Sequence, residues 1–396
     1  MSFLSLVLVN LGRNKLRTIL TLLSVTVALF LFCSLEGVLD TLAESIRVGS
    51  ETRLVTRNKI SLVFPIPIAY RQRIQAVPGI RRVGIQNWFG GQDPKDPRAF
   101  FAQFGVDPEI YPIYARDIEL VGYTPAPAGI SAPAGQDPKL AAYFADQTAC
   151  IVGQDLMEKH GWKLGQSIAL EGTIYPGSWP FTIRGVYRAK NKAFGEQTML
   201  FHWKYLDQKG MGGQSWVGIY VLDIADPGRA GDIAHEVDAM FENSGTATRT
   251  ETERAFQAGF VSMYGNIPFA LRVIGLAVAF SILLIAANTM MMAFRERTSE
   301  IGVMKTLGFE DGTVFKLVLA EAAIITLGGG VLGSLLAKFA IERSKFNAGG
   351  MLPPMQVHWE TVLTGIGIAL LIGAVSGILP AWQAAKLTIV NALRRV

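Results

Sequence analysis

Four apolar stretches, each long enough to cross a lipid bilayer as a helix, constrain this chain more than any other feature. A spanning helix needs about 20 predominantly apolar residues. The stretches are Thr18–Leu39, Val273–Phe294, Leu317–Ala337 and Thr361–Ala385. Only 17% of the residues are charged, whereas a soluble chain usually carries about 25%. The sequence therefore predicts a multi-pass membrane protein.

A long segment of ordinary soluble composition separates the first two stretches. This segment, residues 40–268, is called the outer domain below and is large enough to form its own core. The first stretch is too long for a signal peptide and no small-x-small cleavage site follows it, so we expect a retained anchor. The predicted fold class is a membrane domain of four transmembrane helices, with an α+β extracytoplasmic domain inserted between helices one and two.

Basic residues in the short loops indicate the orientation of the chain in the membrane. Ten flank the stretches on one side and three lie on the other. The ten are Arg13, Lys15, Arg17, Arg295, Arg297, Lys305, Lys316, Lys386, Arg394 and Arg395, and the three are Lys338, Arg343 and Lys345. We therefore expect a bacterial cytoplasmic membrane protein with both termini inside and the outer domain outside.

The distribution of charge argues against nucleic acid as a partner. The formal net charge is +5, yet residues 41–267 hold 23 basic and 23 acidic residues, so the outer domain is neutral. The excess positive charge lies beside the membrane stretches, where anionic lipid headgroups attract it. Membrane lipid is the expected partner of these residues.

The sequence predicts nine segments. They are an interfacial helix (1–17), helix one (18–39), the outer domain with stalk helices (40–268), helix two (269–294), an inner loop (295–316), helix three (317–337), an outer loop (338–360), helix four (361–385) and a tail (386–396). Within the outer domain we expect helices at Tyr70–Val77, Leu156–His160 and Glu251–Tyr264, strands at Ser167–Leu170, Phe181–Tyr187 and Val217–Leu222, and an irregular loop at Thr124–Pro138.

The common catalytic signatures are absent from the sequence. It contains no G-x-x-x-x-G-K-[ST] phosphate loop, no H-E-x-x-H, no C-x-x-C, no G-x-S-x-G and no S-x-x-K. Two cysteines cannot form a disulfide framework, and the four histidines are scattered. We therefore expect a non-catalytic chain that binds no metal or cofactor of its own.

The inner loop carries the most informative pattern. Ile301, Met304 and Leu307 fall on one helical face, and charged residues Arg297, Glu300 and Lys305 flank that face. Gly308 suits a left-handed helix end. Such a short amphipathic helix could dock into a groove on a partner or lie on the membrane surface. The residues alone leave both interpretations open.

The inner loop also resembles a known signature. Its R-E-R-T-x-E-I-G-x-x-K-x-L-G segment, Arg295–Gly308, resembles that of FtsX-like ABC permeases, the family of macrolide exporters and lipoprotein-releasing transporters. Further resemblance lies at Asn10–Thr18, at Glu321 with Gly328–Gly330 and Gly333, and at Pro380–Arg394. The outer domain resembles the MacB-type periplasmic core at Val77–Ile80, Phe104–Pro108, Ile151–Gly153 and Ile183–Val186.

The resemblance implies the permease subunit of an ABC transporter. A dimer of a separate ATPase subunit, which holds ATP and magnesium, would bind the inner loop as a coupling helix. Two permease subunits, identical or paralogous, would assemble, and ATP-driven motion would pass to the outer domain by mechanotransmission. The implied coupling residues are Arg297, Glu300, Ile301, Met304, Lys305, Leu307 and Gly308. Because the chain starts at the interfacial helix, we expect the ATPase to be another polypeptide.

Two other functions compete with export or extraction of a substrate. One is a transmitter that activates a periplasmic hydrolase in an ATP-dependent way, and the other is a membrane-anchored enzyme with its site in the outer domain. The larger outer domain here favours transport, because family members that regulate hydrolases have much smaller ones. Lipoprotein, peptide, amphipathic drug and lipid remain open as cargo, as does a periplasmic adaptor.

Small residues at four-residue spacing mark helices three and four. Gly329 with Gly333, and Ala369 with Gly373 and Gly377, would let helices approach closely in lipid. They predict either a seam between two permease subunits or packing within one. Glu321 lies near one end of its stretch, where we expect an acid to reach headgroups or partners.

Overall fold

The computed structural model describes residues 3–97, 100–190, 195–263, 265–344 and 355–388. The chain divides into two compact units, a membrane part (1–40, 266–345 and 355–396) and a unit of residues 41–265 that corresponds to the outer domain. Most of the predicted tail and much of the predicted outer loop lie outside the described residues.

The described residues contain helices and strands in a mixed order. The helices are α1 Phe3–Arg13, α2 Lys15–Val48, α3 Tyr70–Gln75, α4 Ile110–Tyr114, α5 Ala141–Ala145, α6 Gln154–His160, α7 Trp203–Gly210, α8 Ala230–Phe241, α9 Glu253–Met263, α10 Ile267–Glu296, α11 Thr298–Thr306, α12 Asp311–Ser344 and α13 Trp359–Ala385. The strands are β1 Arg53–Asn58, β2 Ile66–Pro67, β3 Ile80–Trp88, β4 Gly91–Gln92, β5 Ala102–Val106, β6 Ile118–Tyr123, β7 Ala149–Gly153, β8 Ser167–Gly172, β9 Gly177–Ala189, β10 Thr198–His202, β11 Trp216–Val217, β12 Ile219–Ile224 and β13 Thr248–Thr252.

Four helices of the membrane part have the length and apolar composition of membrane spans. They cover Lys15–Glu44 within α2, Pro268–Glu296 within α10, all of α12 and all of α13. Each carries large apolar side chains on its exposed surface, for example Leu23, Leu276, Leu336 and Leu371. Since apolar surface is stable in lipid and costly in water, these helices form a multi-pass membrane domain.

The small residues of α12 and α13 pack against helices of the same chain. A Cβ added to Gly329 would lie 2.7 Å from the Cβ of Val25 on α2, and one added to Gly377 would lie 2.9 Å from the Cβ of Ala322. Gly333 approaches α2, and Gly373 approaches α12, just as closely. Ala369 is fully buried. In this chain these five residues bring α2, α12 and α13 together, which is the within-subunit packing considered above.

One large sheet organises the outer domain. Eleven strands run in the order β13-β1-β12-β3-β5-β10-β7-β9-β8-β4, with β6 paired to β9, and β2 and β11 form a separate ribbon. Most pairs are antiparallel, whereas β5 with β10 and β7 with β9 are parallel. The predicted fold class, four apolar helices plus an α+β domain between the first two, is confirmed.

Helices cover both faces of this sheet. On one face, α8 buries Ile233, Val237 and Phe241, spaced four residues apart, against strand residues such as Leu54 and Ile85. On the other face, α4 and α5 pack around Tyr111 and Tyr143. The remaining strands enclose a third core around Trp179 of β9. The long alternation of buried residues in β9 lets it join β7, β8 and β6.

Several local predictions for the outer domain are confirmed, and two need correction. The residues at 124–137 form neither helix nor strand, as expected for a proline-rich loop. Gly161 ends α6 in the left-handed conformation, with φ +63°. The predicted strand Val217–Leu222 is interrupted at Gly218, because the Asn87 side chain accepts a hydrogen bond from its N–H. The predicted helix Glu251–Tyr264 begins only at Glu253, since β13 pairs with β1 as far as Thr252.

Candidate functional site

The inner loop folds into a short helix, α11, that ends in a glycine cap. Gly308 adopts φ +93°. Its N–H donates to the carbonyl of Lys305 at 3.1 Å, and the N–H of Phe309 donates to that of Met304 at 3.2 Å. These are the two hydrogen bonds of a Schellman motif, which requires a residue with positive φ at the position of Gly308. The predicted role of Gly308 as a helix end is confirmed.

The apolar face of α11 is divided between the protein interior and the surface. Ile301 is buried against Val318 of α12 and Ala384 of α13, and Met304 packs partly against the same group. Leu307 is 74% exposed, and Val303 and Phe309 are also exposed. The residues of the predicted face therefore fall into two groups, one buried and one exposed. Ile301 and Met304 fix the helix to the membrane part, while Leu307 joins Val303 and Phe309 in an exposed apolar surface, called the α11 surface below.

The charged residues of the signature bond within the chain. Arg297 donates to Glu321 of α12 with 2.8 Å between Nη1 and Oε2. Asn10 of α1 donates to the other oxygen of Glu321 at 2.6 Å. Glu300 accepts a salt bridge from Arg13 at 2.8 Å and lies 3.5 Å from the Nε of Arg297. We call these five residues the inner cluster; it ties α1, α11 and α12 together.

Lys305 closes a second contact of α11. Its ammonium lies 2.7 Å from Asp311 and 2.8 Å from the carbonyl oxygen of Leu387, and it also donates to the carbonyl oxygen of Ala385. Ala385 is the last residue of α13, so the lysine satisfies carbonyl groups that a helix end leaves without partners. The signature residue Lys305 thus anchors α11 to the end of α13.

These positions refine the expectations for Glu321 and the flanking charges. Glu321 was expected to reach lipid headgroups or partners, yet its side chain is 9% exposed and its bonds go to Arg297 and Asn10. Asn10 and Arg13 were not among the predicted site residues. They lie about 290 to 310 residues from Glu300 and Glu321, so no sequence spacing connects them. The signals that could have pointed to them were the family resemblance of the Asn10–Thr18 segment and the basic residues in that segment.

The inner cluster borders open space. A cavity of about 300 Å³ lies beside it, lined in part by Asn10, Arg13, Phe294 and Glu300. The exposed fraction rises from 9% for Glu321 through 21% for Arg297 to 59% for Arg13. The salt bridge of Glu321 is therefore sheltered from water, whereas solvent screens the salt bridge of Arg13.

A second ion network lies in the outer domain, where α2 ends and α9 begins. Glu253, the first residue of α9, accepts bonds from the Nε of Arg53 at 2.8 Å, the N–H of Ser50 at 2.9 Å and the hydroxyl of Tyr114 at 2.8 Å. Arg53 also binds Asp117 at 2.6 Å. We call these residues, Ser50, Arg53, Tyr114, Asp117 and Glu253, the outer cluster. It joins the end of α2, the start of α9, β1 and α4.

The outer cluster is deeply buried. The side chains of Arg53 and Glu253 are 6% and 7% exposed. Burial alone would lower the pKa of Arg53, but Glu253, Tyr114 and Asp117 outweigh it and hold the pKa above its ordinary value. Burial, together with the charge of Glu253, also raises the pKa of Tyr114 well above its usual range. The network is therefore a charged arginine surrounded by fixed acceptors.

Comparison with known proteins identifies the membrane part. Residues 272–389 match the model of the FtsX-like permease C-terminal family. This part of the chain, from within α10 through α13, is therefore similar to FtsX-like permeases. The resemblance drawn from the signature is thereby confirmed. Helix α11 and three residues of the inner cluster, Arg297, Glu300 and Glu321, lie within the matched residues, whereas Asn10 and Arg13 lie outside them.

Two similar proteins are named as ABC transporter or export permeases. The chain is 36% identical over 107 residues to the uncharacterized ABC transporter permease YknZ of Bacillus subtilis, covering 27% of this chain and 26% of that protein. It is 30% identical over 239 residues to the macrolide export ATP-binding/permease protein MacB of Shewanella sp. (strain ANA-3), covering 57% of this chain and 35% of that protein. The chain thus spans about a quarter to a third of the length of these relatives.

Solved structures similar to the chain include the periplasmic region of MacB from Actinobacillus actinomycetemcomitans. That match has a TM-score of 0.38 at 9% identity and covers 55% of this chain and 97% of the other. The extracellular domain of the noncanonic ABC-type transporter YknZ from Gram-positive bacteria matches with a TM-score of 0.35 at 11% identity, over 50% of this chain and all of the other.

Proposed function

We propose that this chain is an FtsX-like permease, the transmembrane subunit of an ABC transporter whose ATP hydrolysis takes place on a separate ATPase subunit. The sequence carries no G-x-x-x-x-G-K-[ST] loop to hold the phosphates of ATP. ATP and magnesium would therefore bind the partner ATPase, and the chain itself would be non-catalytic. Hydrolysis would change the conformation of the outer domain and so export or extract a substrate.

The α11 surface is the observation that carries this proposal. Val303 is exposed on α11, and Leu307 and Phe309 are exposed just past the end of that helix, which Ile301 and Lys305 fix from behind. A rigid helix with an exposed apolar surface suits docking into a groove on a partner. Because the signature charges bond within the chain, movement of α11 would reach α1 through Arg13 and α12 through Glu321.

The proposal extends to membrane orientation and assembly. The basic residues beside the inner loop favour a cytoplasmic position for α11, with the outer domain on the opposite side of a bacterial inner membrane. A second permease subunit, identical or paralogous, would complete the transporter. A periplasmic adaptor would join it if the cargo crosses two membranes.

The proposal is tested by purifying the chain with its ATPase. Leu307→Asp places an unpaired carboxylate in the docking interface, and we expect at least about tenfold weaker recovery of the ATPase. Gly312→Asp is the matched control, since nothing lies within 4 Å of an added Cβ at Gly312 and an acid suits the first turn of α12. Undiminished binding by Leu307→Asp would overturn the coupling role.

Charge reversal at Glu300 or Lys305 is a less specific test. Both residues make bonds within the membrane part, so their variants would disturb α1 and α13 as well as any partner contact. Transport and signalling are separated by the output of the assembled complex. Export or extraction requires a cargo that moves in an ATP-dependent way, whereas a transmitter would activate a periplasmic hydrolase without moving one.

A further inference from the structure

One face of the outer-domain sheet is incompletely covered. The face under α3 and α8 is sealed, and strand residues there such as Leu54, Val83 and Tyr220 are fully buried. On the opposite face, α4 and α5 cover only part of the strands. A cavity of about 220 Å³ remains between these strands and the start of α9.

Large apolar side chains line this cavity without being fully buried. Phe104, Leu200 and Ile219 rise from three strands, Ile118 lies at the start of β6, and Phe256 comes from α9. All five are half-buried. Leaving such surface in contact with water forfeits the free energy that burial of apolar area provides. The cavity is thus suited to an apolar occupant.

The polar groups of the cavity are uncharged or already neutralised. Gln86, Thr198 and Gln257 contribute neutral side chains. Glu253 is the acid among the lining residues, and its carboxylate already accepts bonds from Arg53, Ser50 and Tyr114. Since the charge of Glu253 is already balanced by the guanidinium of Arg53, the cavity favours a neutral group over a charged one.

The volume limits the size of the occupant. Sites for drug-sized ligands usually measure about 300–1,000 Å³, and an apolar cavity of about 150 Å³ accepts benzene. A cavity of about 220 Å³ therefore suits one or two aromatic rings or a short alkyl chain, but not a whole macrocycle or peptide.

We propose that this cavity is a binding site for a small neutral apolar group, an aromatic ring or a short alkyl chain. Helix α9 forms one wall of the site through Phe256 and Gln257. A ligand that binds one position of α9 more tightly than another would shift the helix toward that position. The site itself exists whether or not an ATPase drives the chain, so its test is independent of the proposed function.

Benzophenone tests the site directly, because it is neutral, matches the volume and inserts into nearby C–H bonds on illumination. The full chain is held in lipid nanodiscs, illuminated with increasing benzophenone and mapped by mass spectrometry. We expect saturable adducts on β10, β12 and α9 that diphenylmethane removes by competition. Labelling confined to the membrane helices, or labelling of the outer domain that does not saturate, would overturn the proposal.

A variant that fills the cavity is compared with a variant that carries the same added ring outside it. Ile219→Trp places an indole in the cavity, and we expect about tenfold less labelling of β10 and α9. Val121→Trp adds the same ring at an exposed position of β6 outside the cavity, and its labelling should equal that of the parent. Should Ile219→Trp unfold on heating far below the parent, Leu200→Phe serves as the milder filling variant. Undiminished labelling in a folded filling variant would contradict the site.

Discussion

The inner and outer clusters are both networks around an arginine, but their charged side chains differ in how far they are buried from water. In the outer cluster, Arg53 and Glu253 are almost completely buried and each bonds to more than one group. In the inner cluster, burial falls steadily from Glu321 to Arg13, and a cavity borders the network. The outer cluster has the character of a fixed joint between helix ends. The inner cluster is a contact that a partner on α11 could rearrange at small cost.

The close approach of α2 and α9 supports the description of the outer cluster as a joint. A Cβ added to Gly49, just after α2, would lie 2.7 Å from the Cα of Arg254 on α9. A glycine is therefore required for the two helix ends to meet. Arg254 adds a more exposed salt bridge to Glu51 at 2.6 Å. One buried and one exposed pair thus hold the same junction.

The largest effect is expected from breaking the buried pair of this junction. Glu253→Gln leaves the buried guanidinium of Arg53 with Asp117 alone, and loss of a buried partner costs about 3–5 kcal/mol. Amide hydrogen exchange in β1 and α9 of the full chain measures the loss. Glu51→Gln is the matched control, since its pair with Arg254 is exposed and worth at most about 1 kcal/mol. Equal effects of the two variants would refute the distinction between them.

A smaller effect is expected at the sheltered end of the inner cluster. Glu321→Gln removes the charge that Arg297 and Asn10 share, and hydrogen bonds to charged groups contribute about 1.5–3 kcal/mol. Helix α1 should become more mobile. A spin label at Gly12→Cys reports this selectively, because Gly12 is exposed and Cys33 and Cys150 are buried.

Glu300→Gln provides the comparison within the same cluster. Its partner Arg13 is 59% exposed, so the loss should stay below about 1 kcal/mol and shrink further in high salt. A spin-label spectrum that changes more in Glu300→Gln than in Glu321→Gln would contradict the graded shelter of the cluster.

The unfolding free energy of the outer domain should depend on pH through Asp107, a buried acid outside both clusters. Burial raises the pKa of Asp107 to about 6, although Ile85 donates its N–H to the carboxylate and Arg71 lies 2.7 Å away. The folded pKa lies above the unfolded value of about 3.9, so the folded state binds the proton more tightly. The unfolding free energy contributed by this group should therefore fall, by about 2 kcal/mol, as pH rises from about 4 to 6.

Asp107→Asn removes that contribution. The difference in unfolding free energy between parent and variant should drop over this pH range and become constant above it. Chemical denaturation of the full chain at pH 4.5, 5.5 and 6.5, followed by the fluorescence of the outer-domain tryptophans, measures the difference. A parent that gains stability over the variant with rising pH would show that Asp107 is better stabilised as a carboxylate than its burial indicates.

The sequence predicted the membrane helices because their signal is local and long. The end of α11 was also predictable, because the positive φ there favours glycine and the sequence has Gly308 at that position. The spacing of Ile301, Met304 and Leu307 identified a face, but spacing cannot tell which part of a face meets the protein interior. Only the packing of α12 and α13 against Ile301 leaves Leu307 on the surface.

The pairings within both clusters escaped prediction because the partner residues are distant in the chain. Arg53 and Glu253 are 200 residues apart, and Asn10 and Glu321 are 311 apart. Arg53 and Glu253 have no distinctive neighbours in the sequence, and the segments around Asn10 and Glu321 gave no sign that these two residues bond to each other. The cavity beside α9 was equally hidden, since its walls come from strands that become neighbours only through the order of the sheet.

Site-specific photocrosslinking at the α11 surface tests whether an ATPase docks on α11. The photoreactive amino acid p-benzoylphenylalanine is placed at Leu307, and for comparison at Leu371, which is similarly exposed in the middle of α13. With the ATPase bound, we expect a crosslink to the ATPase from position 307 and none from position 371. An ATPase that co-purifies with the chain yet gives no crosslink from position 307 would contradict docking on α11.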